Sequence, residues 1–324
     1  NLGAKRLQQQ RTRALVESAL LAAIGVVLVL VGYYVPILGT IAMFLWPLPS
    51  AVCVIRHGSR WGFLSSLVTG LALLLFMDWF TVLGLWVLFA ATGITFGYTI
   101  KEGYSSMTII LLTSVAFLVG IVASFLSMYL IGGFSVSDLL DAYVSSLGSA
   151  SSAVEKILGR DSLGQFGDLE NLKNQMLRLL PGGVLAGAVI QSYLSFEVGR
   201  RVLDRIGCHV EPLPPFSEWI LPDYIGFIAI ASFIALILGQ QYNNDVVLLI
   251  GENVFSVMCL VMFIQGASLV SYYLLRAGFP GFLVGLAVVF LFLTSGINTL
   301  IMVVGLSDVL FDFRRLRYGW VDEL

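Results

Sequence analysis

The chain has 324 residues, of which 58% are hydrophobic and only 12% are charged, and its formal net charge is −2. Because soluble domains carry charges on about a quarter of their residues, this composition excludes an ordinary soluble protein and predicts a polytopic membrane protein in contact with the lipid bilayer. The near-neutral charge also lacks the basic excess that nucleic-acid binding needs, and we expect no nucleic-acid partner.

The first part of the chain is predicted to form membrane-spanning helices. Apolar runs extend from Ala14 to Val35, from Ile37 to Ile55 and onward to Met77. A run of about 20 apolar residues crosses the ~30 Å hydrocarbon core as a helix. Basic residues before the first run predict a cytoplasmic N-terminus by the positive-inside rule. These residues are Lys5, Arg6, Arg11 and Arg13.

Two features predict close packing among these helices. Pro47 and Pro49 interrupt the second helix, and prolines remove backbone hydrogen bonds and kink a helix. Such a break is tolerated in a membrane where protein or a cavity satisfies the freed carbonyls, so this helix is expected to face protein or a cavity and not lipid. A fourth helix, about Phe80 to Ile100, carries Gly93 and Gly97, whose GxxxG spacing predicts close approach of another helix.

The chain then continues through a long polar segment. Helix 5 (about Met107 to Ile131) leads to an outer segment, residues 134–178, predicted as two amphipathic helices resting on the outer membrane face. Helix 6 (about Pro181 to Val198) returns to a group of cytoplasmic arginines. Residues 207–222 are rich in proline and are predicted as a cytoplasmic linker.

The C-terminal part, residues 223–324, carries further membrane helices and a charged tail. Helix 7 (about Tyr224 to Leu238), helix 8 (about Val246 to Leu275) and a last stretch (Phe282 to Leu306) complete an all-α polytopic transmembrane bundle of about nine spans, within a range of eight to ten. Nine crossings place the tail arginines outside, against the positive-inside rule. A split at residues 295–298 into two half-helices returns the tail to the cytoplasm, and the sequence leaves both arrangements open.

Within the first six helices, the pattern resembles a transporter family. The small-residue stretch Ala19 to Ala23, the proline-marked second helix and the turn Arg56 to Gly62 are similar to substrate-binding (S) components of energy-coupling-factor vitamin transporters. The resemblance covers about Arg13 to Arg205 and implies a six-helix membrane unit over residues 1–206 with both ends cytoplasmic. It implies that Ala19 and Ala23 dock on a coupling transmembrane subunit, which acts with ATPase subunits.

The resemblance also implies a ligand near the outer face. The matching residues here are Trp46, Asp78 and Trp79, together with the outer segment. The alternative for Trp79 is an interfacial anchor.

Across its whole length, the chain resembles the YybS-like family of bacterial membrane proteins. Three stretches carry this resemblance: Trp219 to Pro222, Gln265 to Ser268, and Gly305 to Arg315. The C-terminal part, from about Pro212 to Leu324, and the long outer segment are departures from S-components.

Polar side chains inside the later helices are the remaining candidates for a substrate site. They are Glu252, Asn253, Gln265 and Asn298. Such groups are costly in hydrocarbon and normally face a bundle interior or a wet cavity. One hypothesis is a polar-lined cavity that binds substrate, and the alternative is hydrogen bonding that holds helices together.

Local charge spacing predicts several ion pairs. Glu17 follows Arg13 by four residues, which favours a pair between them. Asp308 and Asp312 lie one helical turn apart, which allows an aspartyl dyad. Their neighbourhood favours ion pairs with Arg314 or Arg315 instead.

Common catalytic motifs are absent from the sequence, including a GxxxxGK[ST] phosphate loop, an HExxH zinc pair and a GxSxG elbow. We therefore expect no enzyme, no cofactor and no metal. The favoured hypothesis is a multi-pass subunit of the bacterial plasma membrane that binds a small vitamin-like metabolite for transport and relies on partner subunits for energy. The alternative is a non-catalytic membrane scaffold or assembly factor.

Overall fold

A computed structural model describes residues 2–146, 169–294 and 296–316, and these residues form helices with no strand among them. This confirms the predicted all-α class. In chain order the helices are α1 (Leu2–Tyr34), α2 (Pro36–Leu45), α3 (Leu48–His57), α4 (Ser59–Leu73), α5 (Trp79–Lys101), α6 (Ser106–Gly132), α7 (136–146), α8 (Leu169–Arg205), α9 (Asp223–Gln241), α10 (Asp245–Arg276), α11 (Gly281–Leu293) and α12 (Ile297–Phe311), with a short 3-10 helix at Phe216–Glu218.

The helices belong to two compact units, each taken over its described residues. Unit 1 comprises Asn1–Ser162 and Gly187–Leu213, and unit 2 comprises Leu163–Ala186 and Pro214–Leu324. The boundary between Leu213 and Pro214 falls inside the predicted linker, residues 207–222. Helix α8 contributes its first half to unit 2 and its second half to unit 1.

Seven helical stretches in the described residues are long and apolar enough to cross a membrane. Helix α12 is bent by 111° relative to α11, and the two add an eighth crossing if they form one broken span. The predicted count of nine is not reached, because α4 has only 15 residues and is about 22 Å long at 1.5 Å per residue. The seven are Arg11–Tyr34, Leu38–His57, Trp79–Lys101, Ser106–Gly132, Glu170–Arg205, Asp223–Gln241 and Asp245–Arg276.

The proline break between α2 and α3 is enclosed by protein. In this broken span 61% of the residues are buried, against 22–39% in the other spans, and every residue from Leu48 to Val54 is buried. A Cβ added at Gly97 would stand 2.6 Å from the Ala51 carbonyl oxygen, and one at Gly93 would stand 2.7 Å from that of Pro47. The predicted protein-facing second helix and the predicted close approach at GxxxG are both confirmed.

The outer segment differs in part from its prediction. Residues 147–168, the middle of the predicted segment 134–178, lie outside the described part of the chain. Helix α7 falls within the first predicted amphipathic stretch. The second stretch is not a separate helix, because α8 runs without interruption through Pro181 and joins it to the predicted sixth helix as 37 residues.

Candidate functional site

Asn253 bridges the turn of α8 that contains Pro181. The Asn253 side chain donates from Nδ2 to the Arg178 carbonyl at 2.8 Å and accepts at Oδ1 from the Gly182 N–H at 2.7 Å. In a regular helix these two backbone groups would bond to each other. The Asn253 amide is therefore inserted into the α8 hydrogen-bond ladder and satisfies both groups at the proline.

Glu252 lies beside this bridge and faces the same helix. Its Oε1 is 3.8 Å from the Arg178 guanidinium, and its Oε2 is buried without a hydrogen-bond partner among the described residues. The Ser256 hydroxyl, one turn further along α10, donates to the Asn253 carbonyl at 2.9 Å. This predicted polar group thus lies at a helix contact within unit 2.

A second contact within unit 2 joins α10 to α12 through glycines. A Cβ added at Gly305 would collide with the Met262 carbonyl oxygen, and one added at Gly266 would collide with that of Ile301. The absence of side chains therefore lets the two backbones touch. The neighbouring Gln265 side chain consequently reaches α12 and donates from Nε2 to Asp308 Oδ2 at 2.6 Å.

The chain after α12 folds back and buries an arginine beside Asp308. Helix α12 ends at Phe311, and Asp312 adopts a left-handed backbone conformation with φ 45°. The next turn brings Arg314 to Asp308 Oδ2 at 2.7 Å, and both side chains are fully buried. Asp308 therefore forms the predicted ion pair with Arg314. Asp312 accepts the Leu316 N–H at 3.2 Å.

Arg314 also holds the segment that precedes α9. Its Nη1 donates to the Ser217 carbonyl at 2.6 Å, and its Nη2 donates to the Trp219 carbonyl at 2.7 Å. Its Nη1 further donates to the Ser268 hydroxyl at 2.8 Å, which itself donates to the Phe216 carbonyl. We call this group the C-terminal polar cluster, comprising Gln265, Ser268, Asp308 and Arg314.

The charges in this cluster compensate each other. A buried charge is tolerated when it is paired and hydrogen-bonded, and Asp308 Oδ2 accepts from two donors while Arg314 makes four donations. The remaining polar atoms, Asp308 Oδ1 and Arg314 Nε, have no partner among the described residues. These contacts hold α10, α12, the residues after α12 and the segment before α9 together.

All three stretches that carry the whole-length resemblance meet in this cluster. Trp219 comes from the first, Gln265 and Ser268 from the second, and Asp308 and Arg314 from the third. Because Arg314 binds the carbonyls of the linker segment, the linker and the tail lie at the same end of unit 2. The side of the membrane on which the tail lies stays a prediction.

Unit 1 holds the other predicted site residues in two different surroundings. Asp78 is the N-cap of α5, and hydrogen bonds from the Thr81 hydroxyl and the Thr81 N–H lower the pKa of its carboxyl. Trp79 is half-exposed and stacks on Phe80 with ring centroids 3.7 Å apart. Trp46 is only 6% exposed and lies in the hydrophobic core.

Trp46 and Trp86 share an unusual property. Both belong to the same hydrophobic cluster of unit 1, which also contains Val29, Leu73 and Phe89. The indole N–H of each is buried without an acceptor among the described residues. Sequence reasoning missed Trp86, although it follows Trp79 by seven residues and so lies near it on one side of α5.

The remaining predicted residues lie apart from these groups. Ala19 and Ala23 are exposed on α1, because α4 packs on the opposite side, where the Ser65 and Thr69 hydroxyls donate to carbonyls of α1. Asn298 is half-buried at the start of α12. In the described ranges, no group of three or more His, Cys, Asp or Glu side chains is placed to hold a metal ion.

Comparison with known proteins identifies the family. Residues 23–309 match the family described as predicted membrane protein (DUF2232). The uncharacterized protein YybS of Bacillus subtilis (strain 168) is 27% identical over 314 residues, which cover 94% of this chain and 98% of that protein. No solved structure matches. The similarity to S-components stays a prediction, whereas the YybS-like resemblance is confirmed: the chain belongs to the DUF2232 family of membrane proteins.

Proposed function

We propose that this chain is a substrate-binding subunit of a transport system in the bacterial plasma membrane, with its N-terminus in the cytoplasm. Its substrate is a small, largely apolar metabolite that carries a hydrogen-bond acceptor. Unit 1 binds this molecule near Trp46 and Trp86, and partner subunits supply the energy. The exposed small-residue face at Ala19 and Ala23 is the proposed contact with a coupling transmembrane subunit.

The observation that carries the proposal is the pair of indole N–H groups of Trp46 and Trp86, which lie in one cluster and have no acceptor among the residues that the structure describes. A buried donor without an acceptor costs about 1–3 kcal/mol, and native proteins leave few of them. A carbonyl, carboxylate or ring nitrogen of a bound molecule would recover this cost. The apolar side chains around them suit the rest of a largely apolar substrate.

The polar groups of unit 2 favour a structural role instead of a second substrate site. Asn253 and Gln265 both make hydrogen bonds to neighbouring helices at 2.6–2.8 Å. Intramembrane amides used in this way hold the helices of unit 2 together, as the alternative function, a non-catalytic membrane scaffold, would also require. In the transport proposal, the same contacts stabilise unit 2 and take no part in substrate binding.

Ligand-dependent thermal stabilisation of the purified full-length chain tests the proposal. A panel of vitamins and related metabolites should contain a compound class that raises Tm, since a ligand at 100 times its Kd stabilises by about 2.7 kcal/mol. Trp46→Phe and Trp86→Phe should each weaken that shift. The matched control is Trp219→Phe, whose indole N–H already donates to the Pro214 carbonyl at 2.9 Å.

Two outcomes would overturn the transport proposal. One is the absence of any Tm shift across the panel. The other is a shift that survives in both Trp46→Phe and Trp86→Phe as fully as in the Trp219→Phe control. A protein partner that purifies stoichiometrically with the chain, without any ligand effect, would favour the scaffold function.

A further inference from the structure

A basic cleft lies at the N-terminal end of the membrane-spanning part of α1. Its volume is about 610 Å³, and it is lined by residues of α1, the end of α3 and the start of α4. The polar and aromatic side chains that line it are Arg11, Arg13, Glu17, Arg56, His57 and Trp61. Three arginines thus face one carboxylate in a single cleft of unit 1.

Glu17 is shared among several donors and leaves the cleft positively charged. Its Oε1 is 2.7 Å from Arg13 Nε, and its Oε2 is 2.9 Å from His57 Nε2 and 3.4 Å from Arg56 Nη1. One carboxylate balances one guanidinium, so the cleft keeps a charge of about +2 from its arginines. The Arg13 and Arg56 side chains are 75% and 41% exposed, which leaves them accessible to a further anion.

An apolar groove adjoins this cleft. Its volume is about 440 Å³, and it is lined by side chains of α1, α2, α3 and α8, including Leu20, Ile24 and Val202. Glu17 and Arg56 line both the cleft and the groove, so the two spaces share a border. Beyond those two residues, the groove presents apolar side chains from membrane-spanning helices.

We propose that the cleft and groove together form a binding site for an anionic phospholipid. The lipid phosphate lies against Arg11, Arg13 and Arg56, and an acyl chain occupies the groove beside Leu20 and Ile24. Arginine binds phosphate oxygens through its fork of donors, and basic pockets between membrane helices are suited to anionic headgroups. Charge complementarity at the mouth and an apolar path below it match this one class of molecule.

A ligand that used only the basic cleft or only the apolar groove would not account for both spaces being side by side. A soluble phosphate compound would use the arginines and leave the groove empty, whereas a zwitterionic lipid or a partner helix would fill the groove without needing three arginines. Trp61 at the cleft is also the kind of side chain that favours the headgroup level. The inference uses different residues from the proposed substrate region near Trp46 and Trp86, and it does not depend on transport.

Native mass spectrometry of the full chain, released from nanodiscs of equal phosphatidylglycerol and phosphatidylcholine, tests the site. We expect a bound phosphatidylglycerol in excess over phosphatidylcholine. The double variant Arg11→Gln with Arg56→Gln should reduce that preference about tenfold, because each arginine near a membrane surface contributes to anionic-lipid binding. The matched control is Arg60→Gln, an exposed arginine of the same α3–α4 region that does not line the cleft.

A second variant tests the groove separately. Ile24→Trp fills the apolar space and leaves every arginine in place, and it should also lower phosphatidylglycerol retention. Equal binding of the two lipids, or a double variant that behaves like Arg60→Gln, would refute the proposal. Complete displacement of the lipid by millimolar inorganic phosphate would likewise refute it, because that result requires only an anion site.

Discussion

Replacing Arg314 by methionine removes the guanidinium at the centre of the C-terminal polar cluster and keeps much of the side-chain stem. The variant loses four donations, to the carbonyls of Ser217 and Trp219, to the Ser268 hydroxyl and to Asp308. The substitution leaves the Asp308 carboxylate without its compensating cation, and water cannot replace that cation because the Asp308 side chain is fully buried. Removing one partner of a buried ion pair costs about 3–5 kcal/mol.

The assay is the free energy of unfolding of the purified chain in micelles, followed by tryptophan fluorescence during denaturant titration. Arg314→Met should lower it by about 3–5 kcal/mol and speed proteolytic cleavage in the linker, residues 207–222, whose carbonyls lose their donor. Adding Asp308→Leu to this variant should recover part of the loss, because it removes the unpaired charge, although it also leaves the buried Gln265 amide without its Asp308 acceptor.

The matched control is Arg315→Met, since Arg315 is the adjacent arginine and its side chain is exposed. Surface substitutions of this kind usually change stability by less than about 0.5 kcal/mol. If Arg314→Met were no more destabilising than Arg315→Met, the buried ion pair of Asp308 and Arg314 would not stabilise the chain as its geometry indicates. A double variant less stable than Arg314→Met would equally contradict the argument about the unpaired charge.

Other contacts give further predictions. Gly97→Ala should lower the free energy of unfolding by about 1–3 kcal/mol, because its Cβ would meet the Ala51 backbone; thermal denaturation measures this. Asn253→Leu should cost about 2–3 kcal/mol by leaving two backbone groups of α8 unsatisfied, and hydrogen exchange should rise at the proline turn. Asp78→Ala should cost about 1 kcal/mol in a thermal melt by removing an N-cap bond to Thr81.

The Asp78 contribution also has a defined pH dependence. Its pKa is lower in the folded chain than the ordinary 3.8, so the carboxylate form is favoured by folding. The resulting stabilisation is complete above the unfolded pKa and is lost as the pH falls through the folded pKa. Asp78→Asn keeps a good N-cap and should remove this acid-dependent part of the stability. An unchanged acid profile in Asp78→Asn would contradict the assignment.

Matched controls separate these effects from general loss of stability. Gly187→Ala is the control for Gly97→Ala, because an added Cβ at Gly187 meets no atom within 4 Å. It should be neutral or slightly stabilising, since alanine favours the helix over glycine by about 1 kcal/mol. Equal losses in both variants would show that the Ala51 contact is not the cause.

Several features of this protein followed from local patterns. The Arg13–Glu17 pair was predictable because residues four apart face each other on a helix, and the two side chains meet at 2.7 Å. The enclosed proline break was predictable because a membrane leaves freed carbonyls no other partners. The number of spans was less predictable, because an apolar run does not show whether its helix stops short, as α4 does, or bends, as α11 and α12 do.

The sequence by itself determined the membrane and the helical class, since only helices of sufficient apolar length satisfy every backbone group in hydrocarbon. Tertiary structure decided the partners of the polar groups. Asn253 is separated by 71 residues from the N–H it binds, and Arg314 by 97 residues from Ser217. Helices that are apolar on every side carry little pattern to show which faces meet. These contacts, and the lack of an acceptor for the indoles of Trp46 and Trp86 among the described residues, therefore emerged only from the packed helices.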